Sequence, residues 1–307
     1  MLGFALRRFS LALLVAAAVS VIAFALLRLS GDLASALAGA EATPEDIEAM
    51  RVRYGLNRPL YEQYFDWLNN ALHGDLGSSF YHMEPVSKLL MEHLPVTLTL
   101  SVLGLMTALI IAVPLGVLSA NNPNSWIDRF SLGLSIVGQA LPNFWLALLM
   151  IVIFSVTLRV LPVSGGSTWA HYVLPSVVLG IYQIPPIIRV TRSGMLEVLE
   201  ADYIRTARAM GLSARSVLFK HALRNAAIPV VALTAVNFGN MLSGSVLVET
   251  IFSLRGIGYL AYESIIRIDF PVTQAILLMV SMIYLVMVVI SDILNAWLDP
   301  RIRALHA

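Results

Sequence analysis

Glu200–Pro229 reads EADYIRTARAMGLSARSVLFKHALRNAAIP, a cationic stretch set between two apolar runs. It carries Arg205, Arg208, Arg215, Lys220, His221 and Arg224. The pattern predicts a helix, a tight turn at Gly211 and a second short helix. Ser213 is placed to cap that second helix, because a serine hydroxyl accepts a hydrogen bond from the orphan amides of a first turn. A polar, capped loop in a lipid-soluble chain serves contact with a soluble partner. Anchoring of the arginines to anionic lipid is the blander reading, and it asks for charge but not for turn and cap together.

Working outward, the 307 residues are 58% hydrophobic and only 13% charged. Soluble domains average roughly 45–50% apolar and about 25% charged, so the composition is that of an integral membrane protein, and an all-α fold is expected. The net charge of +1 says little about partners, and no nucleic-acid partner is expected. The absence of cysteine excludes disulfides, thiol nucleophiles and cysteine-ligated metals.

Six apolar runs predict six transmembrane helices: Phe9–Leu27, Val96–Leu118, Phe130–Leu158, Tyr172–Ile188, Ile228–Leu247 and Phe270–Leu294. The first follows Arg7 and Arg8. It is too long for a signal-peptide core, and the small-residue triplet Ala38-Gly39-Ala40 lies far beyond it, so an uncleaved anchor is expected. Arg28–His93 is polar, with ten acidic side chains against five basic ones. Within it Thr43-Pro44-Glu45-Asp46 predicts a capped helix start and Gly55 its stop. A second helix after Pro59 has Leu60, Tyr61, Tyr64, Phe65, Leu68 and Leu72 on one face. That stripe suits packing on membrane lipid or on neighbouring spans, and an external partner is the functional alternative.

Orientation follows from the basic residues. An inward N-terminus puts Arg7, Arg8, Arg129, Arg189, Arg192, Arg301, Arg303 and the whole Glu200–Pro229 cluster on the inside. The short outer loops then hold only Arg159, Arg255 and Arg267, so both termini are expected to be cytoplasmic.

The spans hold almost no ionisable residues apart from Glu249 and Asp292 near their ends, which argues against a proton-driven carrier. Gln139, Asn143, Gln183, Asn237 and Asn240 remain. They could line a pathway for a polar solute or hydrogen-bond between helices, and the sequence favours neither reading. Prolines at 114, 142, 175, 185 and 186 free backbone carbonyls, as the broken helices of transporters do. The two lysines, Lys88 and Lys220, lie outside any Gly-rich phosphate loop, and there is no metal helix or nucleophile turn. No catalytic residue, metal or cofactor of the chain's own is therefore expected. An intramembrane hydrolase would need a serine, a histidine and an aspartate to converge from distant positions without a motif.

Four blocks carry a family resemblance: GLNRPLYEQYFDWLNNALHGDLGSSF (Gly55–Phe80), DYIRTARAMGLSARSVLFKHALRNAAIP (Asp202–Pro229), SGSVLVETIFSLRGIGYL (Ser243–Leu260) and LDPRIR (Leu298–Arg303). The chain resembles the first-type permease subunit of the dipeptide/oligopeptide ATP-binding-cassette importers. The resemblance implies the type I importer permease fold, with residues 1–94 as anchor plus extracytoplasmic segment, 95–298 as permease domain and 299–307 as tail. It makes 189–228 the coupling loop that docks on the ATPase, through Arg205, Thr206, Ala207, Gly211, Leu212, Ser213, His221 and Arg224. The glycine that follows the family's Glu-Ala-Ala triplet falls on Gly211, and the triplet on Arg205-Thr206-Ala207, a departure similar to that of the peptide branch.

Two further departures are Arg255-Gly256-Ile257-Gly258 for Pro-Gly-Ile-Gly and Ile268-Asp269-Phe270-Pro271 for Arg-Asp-Tyr-Pro. Both fall on the outer side, where docking of a binding protein and outer gating are expected. The implied partners are a second homologous permease, two ATPase subunits and an external solute-binding protein, for import of peptide-like solutes. An ATP-independent channel or carrier is the alternative, and a membrane anchor the blandest reading.

Overall fold

The computed structural model describes residues 2–39 and 42–298, in which helices and loops account for the chain and no strand forms. Ala40 of the small-residue triplet, the part of LDPRIR beyond Leu298 and the tail 299–307 lie outside the described residues.

The order is α1 (Leu2–Ser30), α2 (Leu33–Ala38), α3 (Pro44–Arg53), α4 (Leu60–Leu72), α5 (Val86–Asn121), α6 (Trp126–Ala140) and α7 (Asn143–Met150). A π-helical stretch, Ile151–Thr157, prolongs α7. Then come α8 (Ala170–Ile181), α9 (Ile184–Leu199), α10 (Asp202–Ala209), α11 (Ala214–Ser216), α12 (Leu223–Phe252), α13 (Ile257–Ile266) and α14 (Phe270–Leu298).

Helices α1, α5 and α14, and the run from α11 into α12, are each long and apolar enough to cross a bilayer. The count is six when the bent pairs α6–α7 and α8–α9 are each taken as one crossing. The expected span Phe130–Leu158 is turned through 101°. Leu141 precedes Pro142, and clash with the proline ring drives it to an extended conformation with ψ 127°, so the helical ladder stops there. The expected Tyr172–Ile188 span bends by 53°. There Pro185 and Pro186 occupy the first turn of a new helix, where missing amide donors cost least. Pro114 and Pro175, by contrast, lie inside α5 and α8 without ending them.

The segment between α1 and α5 keeps its expected caps. Thr43 accepts from the Asp46 amide while Asp46 accepts from the Thr43 amide, a reciprocal capping box, with Pro44 at the first helical position. These hydrogen bonds hold the exposed Asp46 carboxyl below its ordinary range. Gly55, at φ +63°, follows the last turn of α3. The apolar stripe read for α4 divides between packing and exposure. Tyr64 and Trp67 are the residues that pack on Phe24 of α1, with centroids 5.5 and 6.0 Å away, while Leu60, Tyr61, Phe65 and Leu72 stay exposed. The Tyr64 hydroxyl reaches Ser20 at 2.8 Å, and that polar tie selects the face that docks.

Helix α5 is the strut of the bundle. Its 36 residues, at 1.5 Å each, make a rod of roughly 54 Å. Four apolar clusters are strung along it. Val86, Leu89 and Leu90 meet Ile257 and Leu260 of α13 and Val272 of α14. Leu100 meets Leu174, Val178 and Met241; Ala108 and Ala112 meet Ile184, Ile187 and Ile188; Val117 and Ala120 meet Met195 and Ile204. Small residues let α5 and α8 approach: a Cβ at Gly180 would lie 2.6 Å from the Gly104 carbonyl oxygen.

The segment around α13, expected as an outer loop, is a helix held by a buried carboxylate. Glu249 is fully enclosed. It accepts from the Thr97 hydroxyl at 2.7 Å and from the Tyr259 amide at 2.9 Å, while the Ile257 amide donates to the same hydroxyl at 2.7 Å. The first turn of a helix has free amides and a positive dipole end, so a carboxylate there orients the element. Beyond the other end of α13, buried Asp269 accepts from the Ser79 hydroxyl and, at 3.2 Å, from the Phe80 amide. Glu249 thus faces protein, a point that its sequence position left open.

Two outcomes follow for the purified chain in detergent. Gly180→Val should lower stability by about 1–3 kcal/mol through overpacking, read as a fall in thermal midpoint. Glu249→Ala should cost about 1–3 kcal/mol for each donor left buried without an acceptor, and Glu249→Gln, which keeps a carbonyl oxygen, should cost less. A Glu249→Ala variant as stable as the parent would show that the carboxylate does not hold α13.

Candidate functional site

Helix α10 and its flanks stand where α5, α9 and α12 converge. Asp202 occupies its first turn and Arg208 its last, each matched to the dipole end beside it. The helix is ended by backbone geometry. The Leu212 amide reaches back to the Ala207 carbonyl at 3.3 Å and the Gly211 amide to Arg208 at 3.0 Å, while Gly211 takes φ +76°. This is a left-handed termination for which glycine has no steric penalty. Ser213 then caps the next helix by accepting from the Ser216 amide at 3.3 Å.

The second helix is not short, as the sequence suggested. Ala214–Ser216 passes through a π-helical stretch, Val217–Ala222, directly into α12, which runs on through Pro229 to Phe252. Pro229, the seventh residue of α12, has no amide hydrogen to donate, so the ladder lacks one bond there, yet the helix runs on through it. Gly211–Ser213 is therefore the joint between α10 and the α12 span, and Glu200–Ala201 joins α10 to α9 on its other side.

The two faces of α10 differ. Ile204 and Ala207 are buried against Val117, Ala120, Met195, Val217, Leu218 and Ala222. Ala207, expected in the docking triplet, is a packing residue beneath the surface. The outward face carries Arg205, Thr206 and Arg208, followed by Met210 at 68% exposure, Gly211, Leu212 and Ser213. Arg205 pairs with Asp202 at 3.3 Å, but both side chains are largely in solvent and such a pair contributes little. Among the described residues, Arg208, Arg215, Lys220 and Arg224 have no carboxylate partner. Arg224 is exposed and His221 half-buried. Asn225 donates to the Tyr203 hydroxyl at 2.8 Å, tying α10 to the start of α12. The result is a cationic surface with apolar residues at its rim.

The five amides do not form one site. Gln139 accepts from Arg189 at 3.4 Å, an interhelical contact between α6 and α9. Asn143 starts α7 at the 101° bend and Gln183 sits at the 53° bend, both half-buried. Asn237 is buried, with its amide nitrogen unpaired. Asn240 is exposed and lines a cavity of about 430 Å³ with Ser243, Ser281 and Tyr284.

A polar cluster that the sequence reading missed lies near α10. Asp128 accepts from Arg192 Nε at 2.8 Å and Nη2 at 2.9 Å, from the Asn124 amide at 2.9 Å and from the Ser119 hydroxyl. Asp128 is the lone carboxylate between Glu92 and Glu197, the one signal of it in the sequence.

Two family models match the chain: the inner membrane component of binding-protein-dependent transport systems over residues 112–304, and the N-terminal part of such membrane components over residues 1–101. A putative peptide transport system permease protein of Brucella abortus (strain 2308) is 39% identical over 97% of this chain and 98% of its own length. The glutathione transport system permease protein GsiC of Escherichia coli O6:H1 is 40% identical over 93% of this chain and 94% of its own. The fold is similar to that of a subunit of the MetNI methionine ABC transporter in an inward-facing conformation, with TM-score 0.58 and 19% identity over 69% of this chain and 96% of that one. The chain belongs to the inner membrane components of binding-protein-dependent, ATP-binding-cassette transport systems: it is a multi-pass, non-catalytic permease subunit that works with an ATPase and a solute-binding protein.

Proposed function

We propose that this chain forms half of the translocation pathway of an importer for di- or oligopeptides or related peptide-like solutes. It pairs with a second, homologous permease and two ATPase subunits, and takes solute from an external binding protein. The solute class is supported by relatives named for peptide and glutathione transport. The end of the bundle that carries α10 faces the cytoplasm, as the basic residues of that end favour. No cofactor belongs to the chain itself, and nucleotide is held by the ATPase subunits.

The observation that carries this reading is the α10 surface. A helix packed on α5, α9 and α12 presents Arg208, which has no acid partner, and Arg205, whose pair with Asp202 lies in solvent, beside exposed Met210 and Leu212. Docked in a cleft of an ATPase, Arg205, Thr206, Leu212 and Ser213 make the contact, with His221 and Arg224 at its edge. Closure of the ATPases moves α10, and the packed cluster beneath passes the displacement to α5, α9 and α12. The spans then alternate between the two faces of the membrane around the solute. Gln139, Asn143, Gln183 and Asn240 are pathway candidates, since each has access to open space, whereas buried Asn237 supports packing.

Gly211 is the discriminating position. Nothing lies within 4 Å of a Cβ placed there, so a substitution acts through φ alone. Asparagine tolerates a positive φ and a β-branched residue does not, at a penalty of about 1–3 kcal/mol. In the reconstituted complex Gly211→Asn should keep uptake near the parent level. Gly211→Val should lower it by about tenfold, the equivalent of ~1.4 kcal/mol, and leave ATP hydrolysis unresponsive to the binding protein. Normal uptake and normal stimulation in Gly211→Val would sink the docking assignment.

A further inference from the structure

Asp128 is 2% exposed, and three elements besides its own helix supply donors to it: the end of α5 through Ser119, the following turn through Asn124, and α9 through Arg192. Arg192 Nε also lies 3.1 Å from the Ser119 hydroxyl oxygen, so the three side chains form one closed network. The guanidinium meets the carboxylate edge to edge with two parallel bonds, the arrangement that fixes both distance and orientation.

Asp128 is enclosed while Arg192 keeps 25% of its side chain exposed, and desolvation offsets much of the attraction in such a pair, so it is a poor source of net stability. What such a pair supplies is register, since either charge without the other is strongly disfavoured in place. Here the register is between α6 and α9. Apolar packing under α10 engages α5, α9 and α12, and no residue of α6 belongs to that cluster. Arg192 lies on α9, which ends at Leu199, with Glu200 and Ala201 between it and the start of α10 at Asp202. A displacement of α10 therefore reaches α5, α9 and α12 through close-packed side chains. It reaches α6 through the packing of Leu134 and Gly138 on α5 and α9 and through polar ties to α9, of which Asp128–Arg192 is the tie nearest α10. Beyond α6, the bend at Pro142 carries the motion into α7.

We infer that Asp128 and Arg192 are positioning residues for transport, a lock that makes α6 and α7 move with α9 when the ATPases shift α10. The inference rests on the docking of α10 proposed above. Its signature is loss of coupling rather than loss of fold: with the lock open, α10 still docks and ATP is still hydrolysed, but part of the pathway wall fails to follow.

The test is made on the assembled complex in liposomes, with the binding protein present and with uptake and ATP hydrolysis measured on the same preparation. Asp128→Asn keeps the shape but removes the charge. It should leave binding-protein-stimulated hydrolysis within about twofold of the parent and lower uptake by about tenfold, raising the ATP used per solute accordingly. Arg192→Lys keeps the charge but not the fork, and should give an intermediate ratio. An unchanged ratio in Asp128→Asn, or a proportional fall of both activities, would overturn the inference. Should Asp128→Asn fail to co-purify with its partners, Arg192→Lys decides; if neither assembles, the pair is a folding element and the inference is overturned. Gly211→Val run in parallel separates the two readings. If it uncouples while Asp128→Asn does not, the lock alone is wrong; if it does not uncouple, the docking of α10 is wrong and the lock falls with it.

Discussion

Close backbone approach along α5 is the constraint on which the bundle depends. In hydrocarbon there is no hydrophobic gain from burying leucine against leucine, so helix association rests on dispersion contacts and on hydrogen bonds between helices. Both require near contact. Gly104 of α5 and Gly180 of α8 supply it: a Cβ at Gly180 would lie 2.6 Å from the Gly104 carbonyl oxygen, so a side chain there would push the two backbones apart. From that seam the apolar clusters extend in both directions along α5, and every large element of the permease region is placed relative to this one rod.

The two ends of the rod are finished differently from its middle. Each end carries a buried carboxylate, Glu249 at the α13 end and Asp128 at the α10 end, satisfied by donors from other helices. Glu249 meets backbone amides at a helix N-terminus, an arrangement that orients an element without a counter-charge. Asp128 meets a guanidinium, and so binds two helices to each other. The contrast suits a transporter: the first fixes a cap over one end of the bundle, while the second ties together helices that a partner is proposed to push.

The bent helices follow from the same need to satisfy backbone groups. Non-helical backbone at membrane depth is tolerated where protein or a watered cavity covers it. The breaks at Leu141–Pro142 and Tyr182–Gln183 place Asn143 and Gln183 at bends rather than in continuous helix. Polar side chains at such breaks have solvent or neighbouring helices to meet, which is why these positions, more than Asn237, suit a pathway.

Much of this was legible in local sequence. The apolar runs, the capping box of Thr43 and Asp46, and the turn at Gly211 with its Ser213 cap all depend on residues within a few positions of one another. Short-range sterics and hydrogen bonding decide them before any tertiary contact forms. The sequence also marked where helices would break, through proline, but not how far each would turn: Pro142 and Pro175 carry the same ring, and one ends a helix while the other does not. The face that α4 docks, the continuation of the second helix into α12 and the helical state of α13 were likewise set by packing. Above all, only the tertiary structure decided the carboxylate partners. Asp128 and Arg192 are 64 residues apart, Thr97 and Glu249 152, and Ser79 and Asp269 190. Which charges meet across such separations depends on which helix faces α5 at a given height, and that is a property of the packed bundle, not of any stretch of chain.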